Sequence, residues 1–280
     1  MKEIIVAIDF SKGSTHALRY AIHFANTVKC NVMMVYVDSR RGQDISFSPE
    51  SGELRDELLH NFEELVASMR PELTGGKLSY KLRKGKVYEE LALQAKLNKA
   101  DLIISGTHGI SGFEEFWIGS NAFRIVSYAP CPVITVRSSY DAERKINNIV
   151  IPIDHTADTL QKLPVATKLA KLFNAQIHIL ALHSSRLKSL QTKIETTVVK
   201  AEKYLAICGV SYNTEFRFAD NLTNTTLEFV AEADADLIII MTEQESSDAN
   251  ILLGQFAQQL VNFSLVPVLS VQPSEVFILA

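Results

Sequence analysis

Asp101-Leu102-Ile103-Ile104-Ser105-Gly106-Thr107-His108-Gly109 is the stretch that decides the fold, read with Gly119-Ser120-Asn121, which follows after nine intervening residues. An apolar run ends in glycines, and a new periodic segment opens at Ala122, Ile125 and Val126. That order predicts strand, loop and helix, the geometry that presents backbone N–H groups and a helix N-terminus to a phosphate. Each glycine then has a separate task. Gly106 ends the strand where a Cβ would block a ligand over the sheet edge, Gly109 permits a positive φ, and Gly119 allows close backbone approach before the helix. Ser120 is read as the helix N-cap and, at the same time, as a hydroxyl facing phosphate oxygens. Ordinary turn chemistry is the competing reading of the glycines.

Working outward, the strand segments recur. Ile4-Ile5-Val6-Ala7-Ile8-Asp9 returns as Ile149-Val150-Ile151-Pro152-Ile153-Asp154, and Asn31 to Tyr36 returns as Gln176 to Ala181, both at an offset of 145. Past a ten-residue deficit the offset is 135, with Asp101-Leu102-Ile103-Ile104 matching Asp236-Leu237-Ile238-Ile239 and Pro132 to Val136 matching Pro267 to Val271. Four segments in one order make the chain two copies of one domain, 1–140 and 146–280. The deficit falls where the first copy carries the polar stretch Asp38 to Ser51.

Within the first copy, residues 3–9, 31–37, 78–82, 101–105 and 132–136 read as strands. The helical spacing of Ala17, Leu18, Ala21, Ile22, Ala25 and Val28 alternates with them, as do segments 54–69 and 88–97. Strands alternating with helices imply an α/β fold, a doubly wound parallel sheet with right-handed crossovers in each copy.

The pattern G-x2-G-x9-G-S after D-L-I-I, the opening I-V-A-I-D-F-S and the closing P-C-P-V-I-T-V resemble the universal stress protein family in its ATP-binding branch, over most of residues 1–137. No G-K-[ST] follows, so this is not a P-loop, and the dinucleotide G-x-G-x-x-G belongs after a first strand. The resemblance implies five-stranded sheets of order 3-2-1-4-5, similar to the adenine nucleotide alpha hydrolase-like fold. It implies ATP as ligand, alone or with magnesium. By position, Asp9 corresponds to the carboxylate beside the nucleoside and Val37 to the strand-two backbone that meets adenine. Ser105, Gly106, Gly109, Gly119, Ser120 and Asn121 correspond to the ribose and phosphate loop. Read from the residues alone, Asp9 caps the following helix with Ser11, Val37 is core, His108 is a solvent-facing loop residue, and Phe113, Phe116 and Trp117 pack the loop or a partner surface.

The second copy keeps the fold and loses the loop. At offset 135, Gly106 becomes Met241, Gly109 becomes Gln244 and Ser120 becomes Gln255, with only Gly119 retained as Gly254, while Glu243 and Glu245 add negative charge. One nucleotide per chain is expected. Each copy ends in an edge strand, which needs a partner. Relatives in the family that have one domain dimerise through this strand, so the resemblance implies an intramolecular pseudo-dimer, with a homodimer of whole chains as a further arrangement. The connector Arg137–Asn147 spans roughly 36 Å when extended, ample for that link.

Composition bounds the rest. With 47% apolar and 21% charged residues, 280 residues supply two cores. No apolar run approaches transmembrane length and Met1-Lys2-Glu3-Ile4 lacks a signal-peptide layout, so a cytoplasmic protein without a membrane role is expected. Cys30, Cys131 and Cys208 lack metal or C-x-x-C spacing and read as buried, reduced thiols. Residues 1–140 carry 17 Lys and Arg against 16 Asp and Glu, and residues 141–280 carry 11 against 16, with no basic stripe. The counterion-release term that drives nucleic-acid binding is therefore missing. The loop offers phosphate donors without a carboxylate pair for magnesium, and Asp9 is the one carboxylate near the ligand. A regulatory binding protein, with slow hydrolysis at most, is the leading reading. A true ATPase or phosphotransferase, or an interaction protein with a vestigial site, are the alternatives.

Overall fold

The computed structural model describes residues 1–39, 49–107, 119–156, 158–242, 244–247 and 250–273. The first copy runs β1 (Glu3–Ile8), α1 (Lys12–Val28), β2 (Asn31–Asp38), α2 (Pro49–Met69), β3 (Leu78–Lys84), α3 (Val87–Asn98), β4 (Leu102–Gly106), α4 (Ser120–Tyr128) and β5 (Val133–Val136). The second runs β6 (Asn148–Ile153), α5 (Leu163–Phe173), β7 (Gln176–His183), α6 (Lys188–Ile207), β8 (Tyr212–Phe218), α7 (Leu222–Glu232), β9 (Leu237–Met241), β10 (Gln244–Ser247), β11 (Asn250–Leu253), α8 (Gln255–Phe263) and β12 (Val268–Val271). The strands alternate with helices as the periodicity predicts. Two elements differ. Helix α2 begins at Pro49 rather than near residue 54, with proline at a first position where its missing N–H costs nothing. The antiparallel hairpin β10–β11 replaces, in the second copy, the glycine loop of the first.

One sheet holds both copies. Its order is β3-β2-β1-β4-β5-β12-β9-β6-β7-β8, so each half has the order 3-2-1-4-5 and the two meet at their last strands. All pairs within a half are parallel, and β5–β12 is antiparallel. The seam pairs Thr135 with Val268, Ile134 with Leu269 and Val133 with Ser270. Ile134 and Leu269 are equivalent residues at offset 135, and the flanking pairs exchange equivalents, so the seam is a pseudo-two-fold, self-complementary interface. The residues just past the two strands repeat the symmetry. Arg137 donates to the Asn262 carbonyl at the end of α8, and its counterpart Gln272 donates to the Val126 and Ser127 carbonyls of α4, at 3.1 and 3.0 Å. These carbonyls lie in the last turns of their helices, where acceptors lack intrahelical donors.

The connector is packed rather than slack. Tyr140, Ala142 and Ile146 are buried, and Arg144 bridges Asp234 and Asp236 at 2.8 and 2.5 Å. Asp236 also accepts the N–H groups of Asn147 and Asn148, as its equivalent Asp101 accepts those of Lys2 and Glu3. Burial pushes the Asp101 carboxyl up, and these two backbone donors together with Lys168 hold it below its ordinary range. Apolar residues cover both faces of the sheet, with Phe24 of α1 against Phe173 of α5 at 4.8 Å on one of them. Among the described residues, no helix is long and apolar enough to cross a membrane.

Candidate functional site

β1 stays paired with β2 as far as Ile8–Tyr36, but its pairing with β4 ends at Val6–Ile104. The two strands part at the point where strand order reverses, which is where ligands enter open α/β sheets. The opening is a cleft of about 510 Å³, inside the roughly 300–1,000 Å³ of small-molecule sites. It gathers Asp9, Val37, Ser105, Gly106, Gly119, Ser120 and Asn121, seven of the eight residues that the sequence nominates. The eighth, Gly109, lies outside the described residues, as do His108, Phe113, Phe116 and Trp117.

Asp9 serves a turn and lines the cleft. Its Oδ1 accepts the Ser11 N–H at 3.0 Å, Ser11 Oγ caps α1 by accepting from Ser14 N at 3.1 Å, and the Asp9 N–H reaches Ser14 Oγ at 3.3 Å. Asp154 makes the same turn with Thr156 at 3.0 Å, so the turn belongs to both copies. Val37 is buried beside Asp38, and Ser105, also buried, donates to the Gly106 carbonyl at 3.0 Å.

One expectation gains a further reason and another needs correcting. A Cβ on Gly106 would lie 2.8 Å from the Gly13 carbonyl oxygen and 2.9 Å from its carbon, so the first turn of α1 by itself requires glycine there. Ser120 is not the N-cap. Gly119 holds that position, with φ −59° and ψ 144°, and α4 starts without a side-chain cap. Among the described residues no side chain caps the first N–H groups of α4, and the exposed Ser120 stands at their start. Gly119 N–H donates to the Thr107 carbonyl at 2.8 Å, pinching together the ends of the intervening loop.

Ser14, Asp38, Thr107 and Val87 also line the cleft and were not singled out from the sequence. Thr107 stood inside the glycine motif and could have been taken with it. Val87 opens α3, far from that motif in the chain, and no local pattern marks it.

In the second copy the corresponding positions hold larger side chains. Met241, Ile240 and Leu182 stand for Gly106, Ser105 and Val37, and all three are buried. Helix α5 starts at Leu163, six residues later than the offset of 145 predicts from Lys12, and the turn that would collide with a side chain at Met241 is not helical. Lys162, equivalent to Ala17, is 3% exposed and reaches Thr159 Oγ1 at 3.1 Å. Of the thiols only Cys30 is fully buried; burial pushes Cys30 up to about 11 and Cys131 up to about 12, which keeps both protonated.

A sequence model described as the universal stress protein family matches residues 1–137 and again 145–272. The chain belongs to the universal stress protein family. It is a tandem member, with both family units in one polypeptide. A Staphylococcus aureus relative carrying the universal stress protein name is 31% identical over 144 residues, 49% of this chain and 84% of that protein. The crystal structure of a universal stress protein from Archaeoglobus fulgidus superposes with a TM-score of 0.76 at 17% identity, covering 97% of this chain and 98% of the other. A Pseudomonas aeruginosa structure of the same family name gives 0.66 at 19% identity, covering 98% and 94%. At these identities the two structures speak for the tandem fold alone.

Proposed function

We propose that the N-terminal copy binds an adenine nucleotide, ATP in the first place, and that this tandem universal stress protein acts as a nucleotide-responsive regulator in a stress response. The observation that carries the reading is convergence. Asp9, Val37, Ser105, Gly106, Gly119, Ser120 and Asn121 come from four separated segments and line one cleft beside an uncapped helix N-terminus. The N–H groups at that terminus and the helix dipole suit phosphate oxygens, the Ser120 hydroxyl adds a donor, and Asp9 suits ribose hydroxyls. Residues of β2 around Val37 offer backbone and apolar contacts to a base. The carboxylates lining the cleft are Asp9 and Asp38, which a magnesium ion on the phosphates would approach. A group that orients an attacking water is not apparent among the cleft residues, so binding rather than turnover is the function proposed.

Calorimetric titration is expected to give about one ATP per chain. Saturation at a hundred times Kd should raise stability by about 2.7 kcal/mol, read as a thermal shift. Two equivalent sites per chain would contradict the assignment to the N-terminal copy. Sustained phosphate release near 1 per second, within the usual kinase range, would make the protein an enzyme instead. No thermal shift at millimolar ATP would favour an interaction protein with a vestigial site.

A further inference from the structure

The cleft does not stop at the nucleotide-sized compartment. Asp38, Ser39, Val87 and Asn121 line it and also line a second compartment of about 570 Å³, whose remaining walls are Lys84, Gly85, Lys86 and Tyr88 from the β3–α3 junction and Arg124 and Tyr128 from α4. The chemistry of this second space differs from the first. It carries three cations. Lys86 is paired with Glu89 at 2.8 Å, but among the described residues no carboxylate stands within ion-pair distance of Lys84 or Arg124. It also carries two aromatic rings, Tyr88 and Tyr128, 4.7 Å apart, with the Arg124 guanidinium 5.6 Å from the Tyr88 centroid. Cations unmatched by carboxylates suit phosphate, and tyrosine with arginine is the combination on which nucleobases stack. Asp38, at the junction, opposes a bare phosphate there and suits a sugar hydroxyl. The second copy lacks these features. The strand register puts Phe218 where Lys84 stands, and offset 135 puts Gln259 where Arg124 stands and Thr223 and Phe263 where the two tyrosines stand.

We propose that the paired compartments take a dinucleoside polyphosphate, one adenosine in the first compartment and a second nucleoside against Tyr88 and Tyr128, with Lys84 and Arg124 holding the bridging phosphates. This rests on the nucleotide reading above and names its ligand class. The test compares ATP, adenosine tetraphosphate and diadenosine tetraphosphate by calorimetry on the full chain and on the Lys84→Gln/Arg124→Gln double variant. The expected result is diadenosine tetraphosphate at least tenfold tighter than either mononucleotide, with that advantage lost in the variant and ATP affinity unchanged within twofold. Equal affinity of the three ligands overturns the proposal while leaving ATP binding intact. Adenosine tetraphosphate matching the dinucleotide removes the second nucleoside and overturns it too. A variant that weakens ATP as much as the dinucleotide assigns the two cations to the first compartment, again against the proposal. Should none of the three bind, the nucleotide reading itself falls. Circular dichroism of the double variant, whose two positions are exposed, checks that it is folded.

Discussion

At the carboxyl end of β4 the N-terminal copy has serine and glycine at the positions where the C-terminal copy, at the end of β9, has buried isoleucine and methionine. The two halves also share small details: the strand order, the aspartate that ties the first strand's start, the Asx turn after it and the position whose side chain reaches across the seam. The difference teaches that fold and site are held by separate sets of residues. Strand faces and the seam carry the architecture, so larger side chains at a handful of strand ends are met by a local change, the later start of α5, while the sheet is kept.

The hardest test of that separation is a matched pair of substitutions on the pseudo-two-fold. Ile134→Ala and Leu269→Ala each remove a fully buried side chain at the same point of a symmetric seam, and each is expected to cost about 2–5 kcal/mol in denaturant unfolding. A near-neutral result at either residue would mean the two halves do not share the seam equally.

The next largest effect concerns the site. Gly106→Met transplants the residue of the second copy into the first, where its Cβ meets the Gly13 backbone. ATP affinity should fall by about 2 kcal/mol, roughly 30-fold, or more. The reverse change, Met241→Gly, should not create a second site, because buried Leu182, Ile240 and Lys162 remain. A titration that rose to two ATP per chain would show that one residue alone separates the copies.

Much of this contrast was legible in the sequence. The offsets of 145 and 135 mark the repeat, and apolar strands flanked by glycines mark the edge at which the cleft opens. What stayed hidden depends on contacts between distant segments. Ser120 looked like an N-cap because serine is a good one, but Gly119 took the position with an extended backbone that any cap residue shares. The task of Gly106 emerged only when α1 was seen packed against it. The β10–β11 hairpin was not foreseen, since Gln244 to Leu253 has neither an Asn-Gly turn nor regular alternation. The second compartment draws on β3, α3 and α4, whose residues have no common motif.

A smaller effect sharpens the role of the hydroxyl. Ser120→Ala should weaken ATP by about 1 kcal/mol, the scale of one hydrogen bond, with Gln255→Ala leaving affinity unchanged. An unaltered Kd for Ser120→Ala would assign phosphate recognition to backbone N–H groups alone.

The smallest expected effect is a pH dependence to which the second copy contributes through a buried histidine that the first lacks at that position. Burial lowers the His178 imidazole below its ordinary value of 6.5, and the ring hydrogen-bonds Asn148 Oδ1 at 3.0 Å, whereas Met33 stands at the equivalent place in the first copy. The unfolded chain then binds more protons than the folded one below pH 6.5, so this contribution is present above that value and is lost as pH falls. His178→Met should flatten part of the acid limb of a stability-against-pH curve. His16, also lowered by burial, keeps some slope in the variant.

The packed connector from Arg137 to Asn147 changes what kind of signal the molecule can send. Two separate chains joined by an edge strand come apart on dilution, and their assembly can report ligand level through a concentration-dependent equilibrium. Here the partners are covalently tethered, so the joining of β5 to β12 is unimolecular and indifferent to protein abundance. On the proposed nucleotide reading, occupancy of the N-terminal copy would be read as a change in surface or rigidity of the joined pair. Helix α4 is well placed to relay it, because its first residues border the cleft, its last carbonyls are held by Gln272, and β11 of the other half packs against it.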